Sequence, residues 1–157
     1  MPDESAEAPF WVEPYGDDQD LDGVLEVEAE SFTNPWTRAM YAWELQNPDV
    51  CHIYVVRTEA CRVAGFCAFW LVVDEVHVNN VALRPLYRGR GLGTALMRRV
   101  LTEARRIGAV RATLEVRASN EGAIRFYQQM GFTVTATRPR YYTNPAEDAL
   151  ILWRELT

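Results

Sequence analysis

The spacing of apolar positions changes along this chain, and each change marks an element. Val76, Val78 and Asn80 alternate with His77, Asn79 and Val81, and β-branched residues dominate, so Val76 to Leu83 reads as a strand. Pro85 ends regular pairing, because it has no N–H to give a ladder. From Leu92 the spacing becomes helical: Leu92, Ala95, Leu96, Val100, Ala104 and Ile107 form one apolar stripe. Upstream lie a short strand at Phe10 to Tyr15 and a helix at Asp17 to Phe32. Leu21, Val24, Leu25, Glu28 and Ala29 run along one side of that helix, and Asp17, Asp18 and Asp20 suit its first turn. Pro35 stops it, and Thr37 to Gln46 is a second short helix. Cys51 to Thr58 and Val63 to Val73 read as consecutive strands around a turn near Glu59 to Arg62. Downstream come a strand at Val110 to Val116 and a helix at Glu121 to Met130, with Asn120 as N-cap and Gly131 at its stop. Phe132 to Thr137 and Ala149 to Leu156 are the last strands. The order β α α β β β α β α β β predicts an α/β chain, a mixed sheet with helices on its faces.

Between the central strand and the helix that follows it stands Arg88-Gly89-Arg90-Gly91-Leu92-Gly93. A strand, a glycine-rich turn and a helix N-terminus make an anion site. The first-turn N–H groups have no partner within the helix, and the helix dipole favours negative charge there. Glycine lets a phosphate approach the backbone and permits positive φ, and Arg88 and Arg90 add charged donors. A nucleotide P-loop requires a lysine, and the chain has none. The dinucleotide pattern G-x-G-x-x-G fails at its third glycine, which is Thr94 counting from Gly89 and Leu96 counting from Gly91. What remains is R-x-x-G-x-G, Arg88 to Gly93.

At 157 residues, with 48% apolar, the chain is long enough for one domain with its own core. The expectation is a flexible tail, residues 1–9, and a single domain, residues 10–157. No apolar run has the length of a membrane span, and the N-terminus lacks a basic stretch followed by an apolar one, so the expected location is the cytoplasm. Cys51, Cys61 and Cys67 sit in apolar surroundings and are expected as reduced thiols; no histidines stand at ligand spacing, and no metal is expected. Charge is uneven. Residues 1–50 carry thirteen acids and one arginine, and residues 51–157 carry fifteen arginines and nine acids. The later part suits a polyanionic cofactor and the earlier part a cationic partner. Net acidity without a clustered basic helix argues against nucleic acid.

The second half supplies a further pattern. Leu114-Glu115-Val116-Arg117-Ala118-Ser119-Asn120 is followed by Ile124, Tyr127 and then Gly131-Phe132. With the R-x-x-G-x-G turn upstream, this arrangement resembles the GNAT superfamily of N-acetyltransferases. The stretch Leu114 to Asn120 itself, Tyr141-Tyr142 after Arg138 and Arg140, Glu147-Asp148-Ala149, and Glu28 to Phe32 followed by Pro35-Trp36-Thr37 are similar to the bacterial ribosomal-protein alanine N-acetyltransferase group, the RimI type. The resemblance runs from about Leu21 to the C-terminus. It departs at Thr33 and Asn34, which stand between Phe32 and Pro35 where the group has F-P-x-P-W or F-P-W, in a loop that borders the acceptor site.

The resemblance implies the acyl-CoA N-acyltransferase fold, a mostly antiparallel sheet of about seven strands flanked by about four helices. It implies acetyl-CoA as cosubstrate, held by the backbone of Val81, Ala82 and Leu83, by Arg88, Gly89, Arg90, Gly91, Leu92, Gly93 and Thr94, and by Asn120 on the pantetheine arm. Leu83 or a neighbour donates to the oxyanion. It implies a protein N-terminus as acceptor, the alanine of small-subunit ribosomal protein eighteen in relatives, by direct sequential transfer, with Phe32, Trp36, Tyr141 and Tyr142 around it. Glu115 becomes the expected base and Tyr127 the expected acid for the departing thiolate. The residues alone leave both roles open: Glu115 could face water or pair with Arg117, and Tyr127 could be a core tyrosine. His52 and His77 fall on no catalytic position of the family and read as structural or surface residues. Cys67 has no base nearby in sequence, which disfavours an acyl-cysteine route. The competing readings are the same fold acting on lysine side chains or small amines, and a non-catalytic acyl-CoA-binding module. No membrane or nucleic-acid partner is expected, and the expected state is a monomer or weak dimer.

Overall fold

The computed structural model describes residues 9–156, so the expected tail, residues 1–9, lies outside the described residues except for Pro9. The elements run β1 (Phe10–Pro14), α1 (Asp18–Ser31), α2 (Arg38–Leu45), β2 (Cys51–Thr58), β3 (Gly65–Val72), β4 (Glu75–Leu83), a 3-10 turn (Pro85–Tyr87), α3 (Leu92–Arg106), β5 (Arg111–Arg117), α4 (Glu121–Gln129), β6 (Thr133–Tyr142) and β7 (Glu147–Glu155). The seven strands form one sheet in the order β1-β2-β3-β4-β5-β7-β6. Only β4 and β5 pair in parallel, as a strand–helix–strand crossover through α3 requires. The expected fold of about seven strands and four helices is the one observed.

Two cores cover the two faces. On one, Leu92, Leu96, Met97, Val100 and Ala104 of α3 pack on Val76, Val78, Ala112, Leu114 and Val116. Each such side chain, fully buried, contributes about 1.5–3 kcal/mol, which is why the stripe, and not helix propensity, holds α3 in place. On the other face Leu21, Val24 and Val27 of α1 and Tyr41 of α2 pack on Ile53, Val55, Phe66 and Ala82. Strand β5 buries Ala112, Leu114 and Val116 in the first core. Strand alternation therefore turns Thr113, Glu115 and Arg117 to the second face, where a groove of about 480 Å³ takes in Thr113, Glu115, Ile151 and Trp153.

Uninterrupted alternation through Val81 does not hold. Ala68 of β3 faces Asn80 while Phe69 faces Val78, so Asn79 is an extra residue, a β-bulge. A one-residue insertion flips every later side chain to the opposite face. Asn80 consequently shares the α1 face with His77, while Val81 packs in the α3 core. Strand β6 also runs further than its expected end at Thr137. It is an edge strand exposed along almost its whole length, and its irregular pairing between Arg138 and Tyr142 accommodates Pro139.

The acids of the first third find partners within the chain. Asp22 pairs with Arg38, Glu26 and Glu30 with Arg84, Asp17 with Arg62 and Glu13 with Arg57. The acidic segment is thus partly neutralised from within the chain. Asp20 is the buried member. It accepts from Gly16 N at 2.7 Å, from Arg57 Nη1 and Nη2 at 2.6 and 2.9 Å, and from Arg62 Nε at 2.9 Å. Those bonds, Arg57 first, hold its carboxyl far below the usual carboxylate range. Because the folded value lies below the unfolded one, this stabilisation is complete above about pH 4 and disappears as the pH falls toward the folded value. Asp20→Ala, which removes the buried carboxylate and leaves Arg57 only Glu13 and the Arg62 carbonyl, costs about 3 kcal/mol in urea unfolding at pH 7, and the gap to wild type closes on acidification.

Candidate active site

Strands β4 and β5 pair only from Glu75–Arg111 to Val78–Leu114. Beyond that point β5 continues on β7, and the edge of β4 from Asn79 to Leu83 faces a gap. The Arg84 N to Ala64 O bond, 2.8 Å, sets the phase of the β3–β4 ladder. In an antiparallel pair the bonding direction alternates residue by residue. Ala82 therefore bonds to β3, and Val81 and Leu83 turn their N–H and C=O groups into the gap. Arg88 Nε reaches the Leu83 carbonyl at 3.2 Å. Of the three backbone positions expected along this edge, Val81 and the Leu83 N–H are thus open to a ligand, while the Leu83 carbonyl meets Arg88 and Ala82 bonds to β3.

The free edge leads to the glycine-rich turn. Gly89 and Gly91 have φ of +74° and +86°, and a Cβ at either would meet nothing within 4 Å. Gly91 is the N-cap of α3, and no side chain caps it. The first helical bond is Ala95 N to Gly91 O, so the amides of Leu92, Gly93 and Thr94 precede the helical ladder and are available to an anion. A Cβ at Gly93 would instead lie 3.5 Å from Leu83 Cδ1 and 3.7 Å from Phe126 Cζ, at ordinary contact. Arg90 stacks toward the Tyr87 ring, 6.0 Å from its centroid.

On the other side of the gap opens a cleft of about 640 Å³ that gathers Phe32, Trp36, Glu115, Asn120, Tyr127, Tyr141 and Tyr142 with Val81. Eight of the residues singled out from sequence as catalytic, acceptor-binding or arm-binding thus share one cavity, while Ala82, Leu83 and residues 88–94 lie outside its lining. Asn120 caps α4 by accepting from Ala123 N at 3.1 Å, which leaves its amide N–H₂ for a ligand. Tyr127 is buried against the rings of Phe126 and Phe132, and burial pushes its phenol well above the ordinary value. It stays protonated, as a proton donor must. Tyr142 lies under the Arg117 guanidinium at 4.5 Å and is pushed up to about 12, by burial first and then by Tyr141 and Glu115. Cys67 is fully buried and its thiol is raised by desolvation, so it stays a thiol.

Glu115 does not pair with Arg117, which is engaged by Glu147, Thr33 Oγ1 and the carbonyls of Thr143 and Pro145. Its partner is His77, whose Nε2 lies 2.7 Å from Oε2. Of the two histidines read as structural or surface residues, His52 stacks on Phe69 at 5.1 Å, and His77 contacts the carboxylate of Glu115. The signal was present: His77 sits between Val76 and Val78 as Glu115 sits between Leu114 and Val116, so adjacent strands present both to the same face. A second group went unread. Glu28, 1% exposed, accepts from Trp36 N at 3.0 Å and from Tyr41 Oη and Asn80 Nδ2. A glutamate on an apolar stripe and an Asn-Asn pair in a β-branched strand were its sequence marks. Thr33 and Asn34, the departure from the group pattern, tie the two walls of the cleft: Asn34 Nδ2 donates to Thr143 O at 3.0 Å. Among the described residues no cluster of three His, Cys, Asp or Glu could hold a metal.

The family model described as the acetyltransferase (GNAT) family matches residues 21–132. A Bacillus subtilis protein named as a putative ribosomal protein bS18-alanine N-acetyltransferase is 39% identical over 86% of this chain and 89% of its own length. The Escherichia coli ribosomal protein bS18-alanine N-acetyltransferase is 33% identical over 85% and 89%. The crystal structure of the ribosomal-protein-S18-alanine N-acetyltransferase from Escherichia coli superposes with a TM-score of 0.85 over 95% of both chains at 28% identity. A family match over most of the chain and relatives at 33% and 39% identity agree: the chain belongs to the GNAT family of acetyltransferases.

Proposed function

We propose that this enzyme transfers the acetyl group of acetyl-CoA directly to the N-terminal α-amine of a protein in the cytoplasm, the acceptor being the alanine terminus of ribosomal protein bS18. The observation that carries this reading is the placement of Glu115 and His77 at the fork of β4 and β5, between the open edge and the aromatic cleft. The pyrophosphate lies on the amides of Leu92, Gly93 and Thr94, with Arg88 and Arg90 beside them. The pantetheine arm runs along Val81 and Leu83 as an added strand, with Asn120 hydrogen-bonded to it. The acceptor enters among Phe32, Trp36, Tyr141 and Tyr142.

The α-amine has a pKa of about 7.7–8.0, so a carboxylate suffices to take its proton. The amine nitrogen attacks the thioester carbonyl, the Leu83 amide donates to the oxyanion, and the C–S bond breaks as Tyr127 protonates the thiolate. His77 holds the Glu115 carboxylate in place and shares its charge. A lysine amine, near 10.4, asks for a stronger base.

The test offers acetyl-CoA with a free alanine-terminal peptide, the same peptide N-blocked but carrying lysine, and a polyamine, with products read by mass spectrometry. Acetylation of the free terminus alone is expected. Acetylation of lysine or polyamine in its place overturns the reading, and coenzyme binding without any turnover points to a binding module.

A further inference from the structure

Among the described residues, two polar atoms in the acceptor cleft have no partner. Ser31 Oγ and Asn79 Nδ2 are buried and unbonded, and both residues line the cleft. Buried polar groups are almost always hydrogen-bonded, and an orphaned donor calls for an explanation. Here both orphans are held by one device. Glu28 lies one turn before Ser31 on α1. Its Oε2 fixes Trp36 N, at the end of the loop that follows Ser31, and its Oε1 fixes Asn80, the neighbour of Asn79 on the bulge. A single buried carboxylate thus sets the last turn of α1 and the bulge of β4 against each other, with the two unpartnered donors in the cavity between them.

We propose that Asn79 and Ser31 donate hydrogen bonds to the main-chain carbonyl of the acceptor's first residue, and that Glu28 is the residue that positions them. The proposal rests on the peptide-terminus reading above and deepens it. An amide N–H₂ can only donate, so its ligand must bring an acceptor oxygen. In a polypeptide the first carbonyl sits beside the attacking amine, along N–Cα–C=O. A polyamine or a lysine side chain has no oxygen there and leaves both donors buried and unmet, which is the strongest form of discrimination a small site can build. These two groups therefore select chain ends from other amines, separately from the acid–base pair that reacts with them.

The test uses the purified full chain and two acceptors: an alanine-terminal peptide, and the same peptide with its first carbonyl reduced to methylene. Asn79→Ala and Ser31→Ala each raise KM for the normal peptide by about 3- to 10-fold, while kcat and KM for acetyl-CoA stay at wild type. The reduced peptide binds wild type more weakly, and neither variant weakens it further, because the partner oxygen is already gone. Glu28→Gln, which turns an amide against three donors, raises the same KM and adds little on top of Asn79→Ala. Unchanged peptide KM in both single variants, or equal losses with both peptides, overturns the proposal and leaves the proposed function standing. Acetylation of lysine or polyamine with no peptide terminus accepted sinks both.

Discussion

Glu115→Gln lowers kcat by about 10²- to 10⁴-fold and leaves acetyl-CoA affinity unchanged, because the carboxylate faces the acceptor side of the fork. Gln keeps the shape and can still meet His77 at the distance that Glu115 holds, 2.7 Å, so the fold survives and the loss is chemical. Raising the pH through 8 restores part of the rate, since the α-amine then sheds its proton to solvent. Tyr127→Phe gives the opposite profile. It also slows turnover, yet alkaline pH does not rescue it, because the missing proton belongs to the leaving sulfur; an acyl donor with a more acidic thiol does. Steady-state kinetics across pH for the two variants separates base from acid. Identical profiles, or near-native turnover of Glu115→Gln, remove Glu115 from the role and leave His77 or a bound water to take the proton.

Gly91→Val abolishes measurable acetyl-CoA binding while far-UV circular dichroism shows the fold retained. The residue has φ of +86°, a conformation that costs a β-branched residue about 1–3 kcal/mol. The new side chain also stands in the open space before the unpartnered amides of α3. Hydrogen bonds from those amides to a charged pyrophosphate contribute about 1.5–3 kcal/mol each, so losing two of them lowers affinity by about 100-fold or more. Calorimetry with coenzyme A decides it: a folded variant with native affinity places the pyrophosphate elsewhere.

The parts of this molecule legible in its sequence are those where one face is buried and the other wet. Leu92 to Ala104 announced α3, and Leu114 and Val116 placed Glu115 opposite them, because burial imposes a period. The glycine turn was legible for a different reason: positive φ at Gly89 and Gly91 restricts which residues can stand there. What stayed hidden has no local period. The bulge at Asn79 is a property of two strands, and only the partner strand shows that Asn80 has changed face. Strand β6 is exposed along almost its whole length, and its extension beyond Thr137, Arg138 to Tyr142, carries no apolar alternation to read. The His77–Glu115 contact spans a crossover, and neither residue's own segment mentions the other. Glu28 looked like one acid among many on α1, and only the loop to Trp36 folding back on it reveals a buried hub.

The open edge of β4 has a consequence for the stability of the protein. Without its cosubstrate this enzyme is a sheet with a slot in the middle, where the Val81 backbone groups and the Leu83 N–H have no partner strand. In the binding mode proposed above acetyl-CoA is a removable strand, and at a hundredfold excess over its dissociation constant it adds about 2.7 kcal/mol to the stability of the whole chain. In that mode the cosubstrate steadies the catalyst as well as feeding it, and the thermal midpoint of the purified protein rises with acetyl-CoA concentration.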